Sequence, residues 1–408
     1  MSKDNSNFFK EKKDWSKVKD TLLGCYLTPY FAKIFHTRRP TLYVDCFAGK
    51  GIFEDGNPGS PMIALDVLNK SIENANISNI AIECIFIESE HFEELKKNLV
   101  DLPTNQILGI KVVSGKYEEK IKEILQNKNR YNVFLYLDPF GVKPLDFSIF
   151  SDLSDSRFNS LELLINLNTF GFIRAACSAM NTEFDIKEFE DVLGPETEMD
   201  GKPETLMATL TQIAGGDYWK DIIIQNRRNG KIDAYRAESQ FSAKYCEKLK
   251  QHFKFVINMP LRLKPGQQPK YRLIHATNHE DGCVLMNDNM CHRWEVLKKT
   301  QRGKQQTLFQ EDVENEIIDP ETITDEMLKM INKDFKDYTN LNVVLATYIS
   351  LSGVQCSTAD MNTFLRNLED GKKIDIRRSP SVTKSGKPAA FMTTSKGQTV
   401  EVKCSKRD

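Results

Sequence analysis

The stretch Thr41–Gly51, TLYVDCFAGKG, restricts the fold more than any other part of the chain. β-branched and aromatic residues make Leu42-Tyr43-Val44 a short buried strand, which ends in Asp45 and runs into a turn carrying Gly49 and Gly51. Glycine there permits positive φ and lets a ligand approach the backbone with no Cβ in the way. An acidic strand end followed by such a turn is how an open α/β sheet holds a nucleotide-like ligand. The dinucleotide fingerprint G-x-G-x-x-G is not met, because Phe47 stands at its first glycine. The next acidic strand end, Glu88, lies about twice as far on as the ~20 residues of a nicotinamide site. A tight strand-to-helix connection is the other reading of the turn.

Strand and helix patterns alternate after it. Ser60-Pro61 opens a helix, with Ser60 as N-cap and Pro61 at N1. Strand Ile80–Ile87 ends at Glu88, and helix His91–Val100 follows. Strand Ile110–Val113 ends at Ser114-Gly115, helix Glu118–Leu125 follows, and strand Tyr131–Leu137 ends at Asp138. A fifth strand, Leu161–Leu167, leads into Asn168-Thr169-Phe170-Gly171-Phe172. Such alternation predicts a parallel, doubly wound α/β sheet. Ligand groups then gather at the carboxyl ends of the strands, where Asp45, Glu88, Ser114 and Asp138 all fall.

Residues 178–235 have weaker periodicity, with helices near Ile186–Leu193 and Thr205–Ile213, and read as an insertion over the site. Helix Glu238–Gln251, segment Phe253–Asn258 and strand Gln267–His275 close the sheet. Before the first strand, Trp15, Val18, Leu22, Leu23, Tyr26 and Tyr30 recur at helical spacing. The lysines at 10, 12, 13, 17 and 19 either form the solvated face of that helix or meet phosphates.

The second chemical motif is Phe134–Gly141, FLYLDPFG. An exocyclic amine on a base has a delocalised lone pair. The Asp138 carboxylate and the Pro139 carbonyl can each accept one of its N–H bonds and aim that lone pair. Phe140 can stack on a base taken out of its helix, and Gly141 leaves room for it. The alternative is that Asp138 caps a turn and Phe140 fills the core. Together, D-x-F-A-G-x-G (Asp45, Phe47, Ala48, Gly49, Gly51) and DPFG resemble motif I and the amino-acceptor motif of class I S-adenosylmethionine (SAM) dependent methyltransferases. The single proline is closer to tRNA guanine-N2 enzymes than to adenine-N6 enzymes. With the Gly59-Ser60-Pro61 helix start and the NTFGF segment, nearly the whole chain is similar to the three-Cys-motif partner family.

That resemblance implies a Rossmann-like class I methyltransferase sheet over 1–300, usually finished by an antiparallel edge strand, a linker over 301–322 and a winged-helix-like domain over 323–408. It implies SAM as cofactor, with Asp45, Phe47, Ala48, Gly49 and Gly51 on its methionine portion. Glu88 accepts its ribose hydroxyls, while Ser89, Ser114 and Gly115 lie at its adenine. Asp138, Pro139 and Phe140 position the target amine. The function implied is methylation of an exocyclic amino group of a DNA or RNA base. The alternative is a methyltransferase-fold binding partner of a neighbouring radical-SAM-like cysteine-motif protein or antiphage system. A hydrolase is disfavoured, since no acidic metal cluster or nucleophile–base set is visible.

In the last third, helices Met327–Phe335, Asn342–Leu351 and Thr358–Leu368, the last capped by Ser357, precede strands Ile374–Arg378 and Ala389–Thr393. Lys372, Lys373, Arg377, Arg378, Lys384 and Lys387 crowd this hairpin, as a solvated wing or as a nucleic-acid contact. The net charge of −1 excludes a globally basic binder and leaves room for such a local face. No apolar run reaches the ~20 residues of a membrane span, and the charged start has no secretory core. Nine scattered cysteines without a CxxC pair point to reduced thiols in the cytoplasm. His275 and His279 sit where a strand meets a polar loop, so no metal is expected.

Overall fold

The computed structural model describes residues 12, 14–75, 80–100, 102, 105, 107–141, 145–154, 157–183, 203–228, 231–262, 269–304, 319–383, 385–394 and 397–405. They belong to two compact units, Met1–Asn278 and His279–Asp408.

The first unit begins with α1 (Asp14–Ile34), β1 (Thr41–Asp45), α2 (Ser60–Ala75), β2 (Ile82–Glu88) and α3 (Phe92–Val100). It continues with β3 (Leu108–Ser114), α4 (Tyr117–Leu125), β4 (Asn132–Leu137), α5 (Phe147–Ser154), β5 (Ser160–Leu167) and α6 (Thr169–Ala179). After α7 (Pro203–Ala214), α8 (Tyr218–Asn226) and the short pair β6 (Arg227–Arg228) and β7 (Lys231–Ile232), it closes with α9 (Ala234–Leu249), β8 (Phe255–Arg262) and β9 (Pro269–Thr277). Seven strands form one sheet in the order β3-β2-β1-β4-β5-β9-β8. β1 pairs in parallel with both β2 and β4, so the strand order reverses beside it. The sheet is therefore mostly parallel and Rossmann-like. Its one antiparallel strand is β9, which lies between β5 and β8, not at the edge as expected.

Side-chain alternation gives the sheet two apolar faces. Val44, Ile87, Leu135 and Ile165 join the core that α4 to α9 cover. On the other face Tyr43 stacks on Phe134 at 5.9 Å, and Tyr26 and Tyr30 of α1 close over Phe134 at 5.9 and 5.1 Å. His275 lies wholly buried there, its Nε2 2.9 Å from Glu162. The expected packed helix is thus present in α1, but its lysines do not share one solvated face: Lys12 and Lys19 are buried, Lys17 is exposed, and Lys10 and Lys13 lie outside the described residues.

Local chemistry explains several shifts from the expected elements. Ser60 is the first residue of α2 rather than its cap. The NTFGF segment is the start of α6, where Asn168 accepts from the Gly171 amide at 2.7 Å. A Cβ at Gly171 would come within 2.8 Å of that same oxygen. The helix expected near Ile186–Leu193 falls outside the described residues.

The second unit holds α10 (Glu280–Lys304), α11 (Pro320–Asp334), β10 (Thr339–Asn340), α12 (Leu341–Ser352), α13 (Thr358–Asp370), β11 (Ile374–Ser379) and β12 (Thr399–Cys404). The expected boundary at residue 300 falls inside α10, and the polar loop expected after His275 is that helix's start. Asp281 of α10 accepts from Asn342 at 2.6 Å, and Asp288 from the Thr358 amide at 2.7 Å, which ties α10 to α12 and α13. Ser357 caps α13 in a reciprocal box with Asp360. The three strands pair antiparallel in the order β10-β12-β11. The partner of β11 is therefore Thr399–Cys404, not Ala389–Thr393. No helix among the described residues is long and apolar enough to cross a membrane, and all nine cysteines are free thiols.

Candidate functional site

Four loops after parallel strands, and residues near the ends of β5 and β9, enclose one cleft of about 400 Å³ beside the β1–β4 reversal. That is where an open α/β sheet binds its ligand, and the volume lies within the ~300–1,000 Å³ of ligand sites. Phe47, Ala48, Gly49 and Gly51 line it from the turn after β1, Glu88 and Ser89 from the end of β2, and Gly115 from beyond β3. Asp138, Pro139 and Phe140 line it after β4. Phe140 keeps 41% of its surface exposed.

The turn is shaped as its glycines require. Gly49 and Gly51 have φ of 62° and 80°. A Cβ on Gly51 would stand 3.0 Å from Leu95 Cδ1, and the Gly51 carbonyl accepts from the Gly59 amide at 2.8 Å. Glu88 organises the next wall. Its Oε2 accepts from the Gly49 amide at 2.7 Å, and its Oε1 from the amides of Glu90 and His91 at 2.8 and 3.0 Å. One carboxylate thus ties the β1 turn to the β2 turn.

Two expected residues do not line the cleft. Ser114 belongs to β3, and the next residue, Gly115, is the one that reaches it. Asp45 is wholly buried beneath the turn and accepts from the Phe47 amide at 3.2 Å. Burial pushes its carboxyl up to about 7, against the pull of the Ser60 side chain and the Phe47 amide. The folded chain therefore holds this proton more tightly than the unfolded chain does. Ionising Asp45 costs stability that is absent below pH ~4, grows as pH rises, and is complete above pH ~7. Asp45→Asn keeps an acceptor for the Phe47 amide and removes the titration. Urea unfolding should find the variant gaining on the parent between pH 4 and 7, by at most about 4 kcal/mol at pH 8; a difference that is flat with pH would contradict the buried-acid assignment.

The residues that sequence reasoning missed come chiefly from α1. Ser16, Lys19 and Asp20 line the cleft. The Lys19 side chain is 3% exposed, and its Nζ lies 2.7 Å from Asp138 Oδ1 and 2.5 Å from Oδ2. Asn166 of β5 also donates to Oδ1 at 2.6 Å, and the Tyr136 hydroxyl reaches Oδ2 at 3.4 Å. Tyr271 presents its ring 5.6 Å from the same Nζ. Nearby, Lys12 pairs with Asp20 at 2.6 Å and donates to the Pro58 carbonyl at 2.5 Å. Burial nonetheless raises the Asp20 carboxyl, with the two lysines pulling it back. The signal was available: positions 23, 19, 20 and 16 extend the buried stripe of Tyr26, Leu27 and Tyr30 by one, two and about three helical turns.

The basic residues of the second unit divide. Arg378 is held bidentate by Glu369 at 2.7 and 2.6 Å and donates to the Phe391 carbonyl. Arg377 pairs with Glu401 at 2.7 Å and lies over the Tyr338 ring. Lys372, Lys373 and Lys387 are exposed, and Lys384 lies outside the described residues.

No family model matches the chain, and no curated protein matches it. Among solved structures it is similar to the cyclopropane synthase MmaA2 from Mycobacterium tuberculosis, at 9% identity over 65% of this chain and 67% of that one. The TM-score is 0.22, too low for the likeness to carry an argument.

Proposed function

We propose that this protein is a SAM-dependent methyltransferase that acts on an amino nitrogen. The observation that carries the reading is that the β1 turn, the Glu88 carboxylate and the Asp138-Pro139-Phe140 segment line one cleft at the strand-order reversal. The cleft suits SAM: its glycine turn lets the ligand approach the backbone, and Glu88 Oε2, which takes one amide where Oε1 takes two, keeps acceptor capacity for a ribose hydroxyl. The Gly49–Gly51 turn would hold the methionine portion, Glu88 the ribose hydroxyls, and Ser89 and Gly115 the adenine. SAM supplies an electrophilic methyl group on a sulfonium. The chain's own part is to bind, orient and exclude water, since proximity carries most of such a rate.

The finer reading is that the acceptor is an exocyclic amine of a DNA or RNA base. It is supported by the exposed Phe140 ring at the cleft and by Lys372, Lys373 and Lys387 on the second unit. A winged-helix role for that unit is supported by the helix–strand–helix–helix–strand–strand order that follows α10. If the lysines meet phosphates, removing Lys372 and Lys373 should weaken binding to duplex and single strands alike. It should also lower the slope of log K against log salt by about one per lysine. An unchanged slope would return them to a solvated wing. The reading also keeps the protein in the cytoplasm with reduced thiols.

A second reading, a methyltransferase-fold partner of a neighbouring cysteine-motif or antiphage protein with little catalysis of its own, is favoured by one feature: the Asp138 carboxylate is already engaged by Lys19. Methyl-labelled SAM incubated with the protein and total nucleic acid separates the two. Label transferred to nucleic acid supports the enzyme. Binding of SAM without transfer, together with a stable complex to the neighbouring protein, supports the partner.

A further inference from the structure

Lys19, Asp138, Asn166 and Tyr271 line one end of the cleft together. Lys19 is not a surface lysine folded inward by chance. The side chain is 3% exposed, spans both oxygens of Asp138 at 2.7 and 2.5 Å, and faces the Tyr271 ring. Asn166 also donates to Asp138 Oδ1, at 2.6 Å. A carboxylate, an amide that orients it and an aromatic face together form a receptor for a tetrahedral cation. Charge-assisted bonds to a carboxylate are roughly twice as strong as neutral ones, and the ring adds a cation–π attraction. A planar, uncharged base amine can still donate to the carboxylate, but it brings no charge of its own to the pair and no cation–π attraction to the ring.

Resting on the methyl-transfer reading for its purpose but not for its geometry, we infer that this end of the cleft is a primary-alkylammonium subsite and that Lys19 is its built-in occupant. The ligand class is an amine on a saturated carbon, whether a free alkylamine or the lysine side chain of a peptide. An incoming amine displaces Lys19 and takes its place on Asp138.

The test titrates n-butylammonium chloride and, as the peptide-like probe, Nα-acetyl-lysine amide into Lys19→Ala, following thermal unfolding and calorimetric heat. Saturable stabilisation by n-butylammonium is expected, with n-butanol and sodium chloride inert. Binding should be at least tenfold weaker in the parent protein, where the tethered lysine competes, and lost in Lys19→Ala/Asp138→Asn. Lys19→Ser carries the same titration should Lys19→Ala not fold. A response to n-butylammonium alone marks free amines as the source, and an equal or larger one to the lysine amide marks peptides. No response to either probe above the n-butanol control overturns the subsite. SAM calorimetry on the same samples keeps the two ideas apart. Alkylammonium binding without SAM binding keeps the subsite and ends the methyl-transfer reading; SAM binding without alkylammonium binding does the reverse.

Discussion

Glu88→Ala should abolish SAM binding to the cleft, lowering affinity by about 100-fold or more in calorimetry. The ribose would lose the charged acceptor that Oε2 offers, and a hydrogen bond to a charged group is worth about 1.5–3 kcal/mol. The substitution also strips the amides of Gly49, Glu90 and His91 of the acceptor they share, so the turns after β1 and β2 are no longer tied. Glu88→Gln is the sharper probe, because it is nearly the same size and should still fail. Oε2 accepts from one backbone amide and Oε1 from two, so a glutamine NH2 faces an N–H donor whichever way it is turned. Loss in Glu88→Gln comparable to Glu88→Ala would identify the acceptor-only carboxylate as the requirement. Unchanged affinity in either variant would remove Glu88 from the site and the cofactor assignment with it.

The sheet and the cleft's rim were legible because both follow from short-range rules. Apolar strands that end in Asp45, Glu88 and Asp138 can be read from composition and spacing, and the turn glycines declare their φ requirement directly. What was not legible depends on long-range pairing. β9 enters between β5 and β8 through cross-strand register, Leu164 opposite His275 and His275 opposite Ile257, and nothing local in Pro269–Thr277 marks that slot. Thr399–Cys404 pairs with β11 across the turn, where the nearer Ala389–Thr393 looked equally apolar. Lys12 and Lys19 were misread because a lysine on an amphipathic helix is ordinarily solvated. The partners supplied by Asp20, further along the same stretch of chain, and by Asp138, just past a distant strand, make their burial affordable. The helical stripe could mark which positions of α1 face the sheet, but not that the charges there are compensated from elsewhere in the chain.

Asp138→Ala should destabilise the first unit more than Lys19→Met does, although the two substitutions break the same pair. Removing Asp138 takes from a lysine ammonium, 3% exposed, the carboxylate that meets it through both oxygens, and leaves it the Coulomb pull of Asp20 and the Tyr271 ring. Breaking a buried pair from one side costs about 3–5 kcal/mol, because the surviving charge stays desolvated. Lys19→Met leaves Asp138 with the Asn166 amide, the Tyr136 hydroxyl and 21% exposure to water, so its charge has somewhere to go. The methionine also keeps most of the buried stem. Urea unfolding of the two single variants and the double variant would measure both the asymmetry and the coupling. The double variant should recover most of what Asp138→Ala loses, since replacing a buried pair by apolar atoms is often close to neutral. A functional readout then separates framework from chemistry: Asp138→Ala should retain SAM binding and lose methyl transfer. If instead Lys19→Met proves the costlier change, the ammonium and not the carboxylate is the anchored member, and Asp138 loses its claim to be the group that orients an acceptor amine.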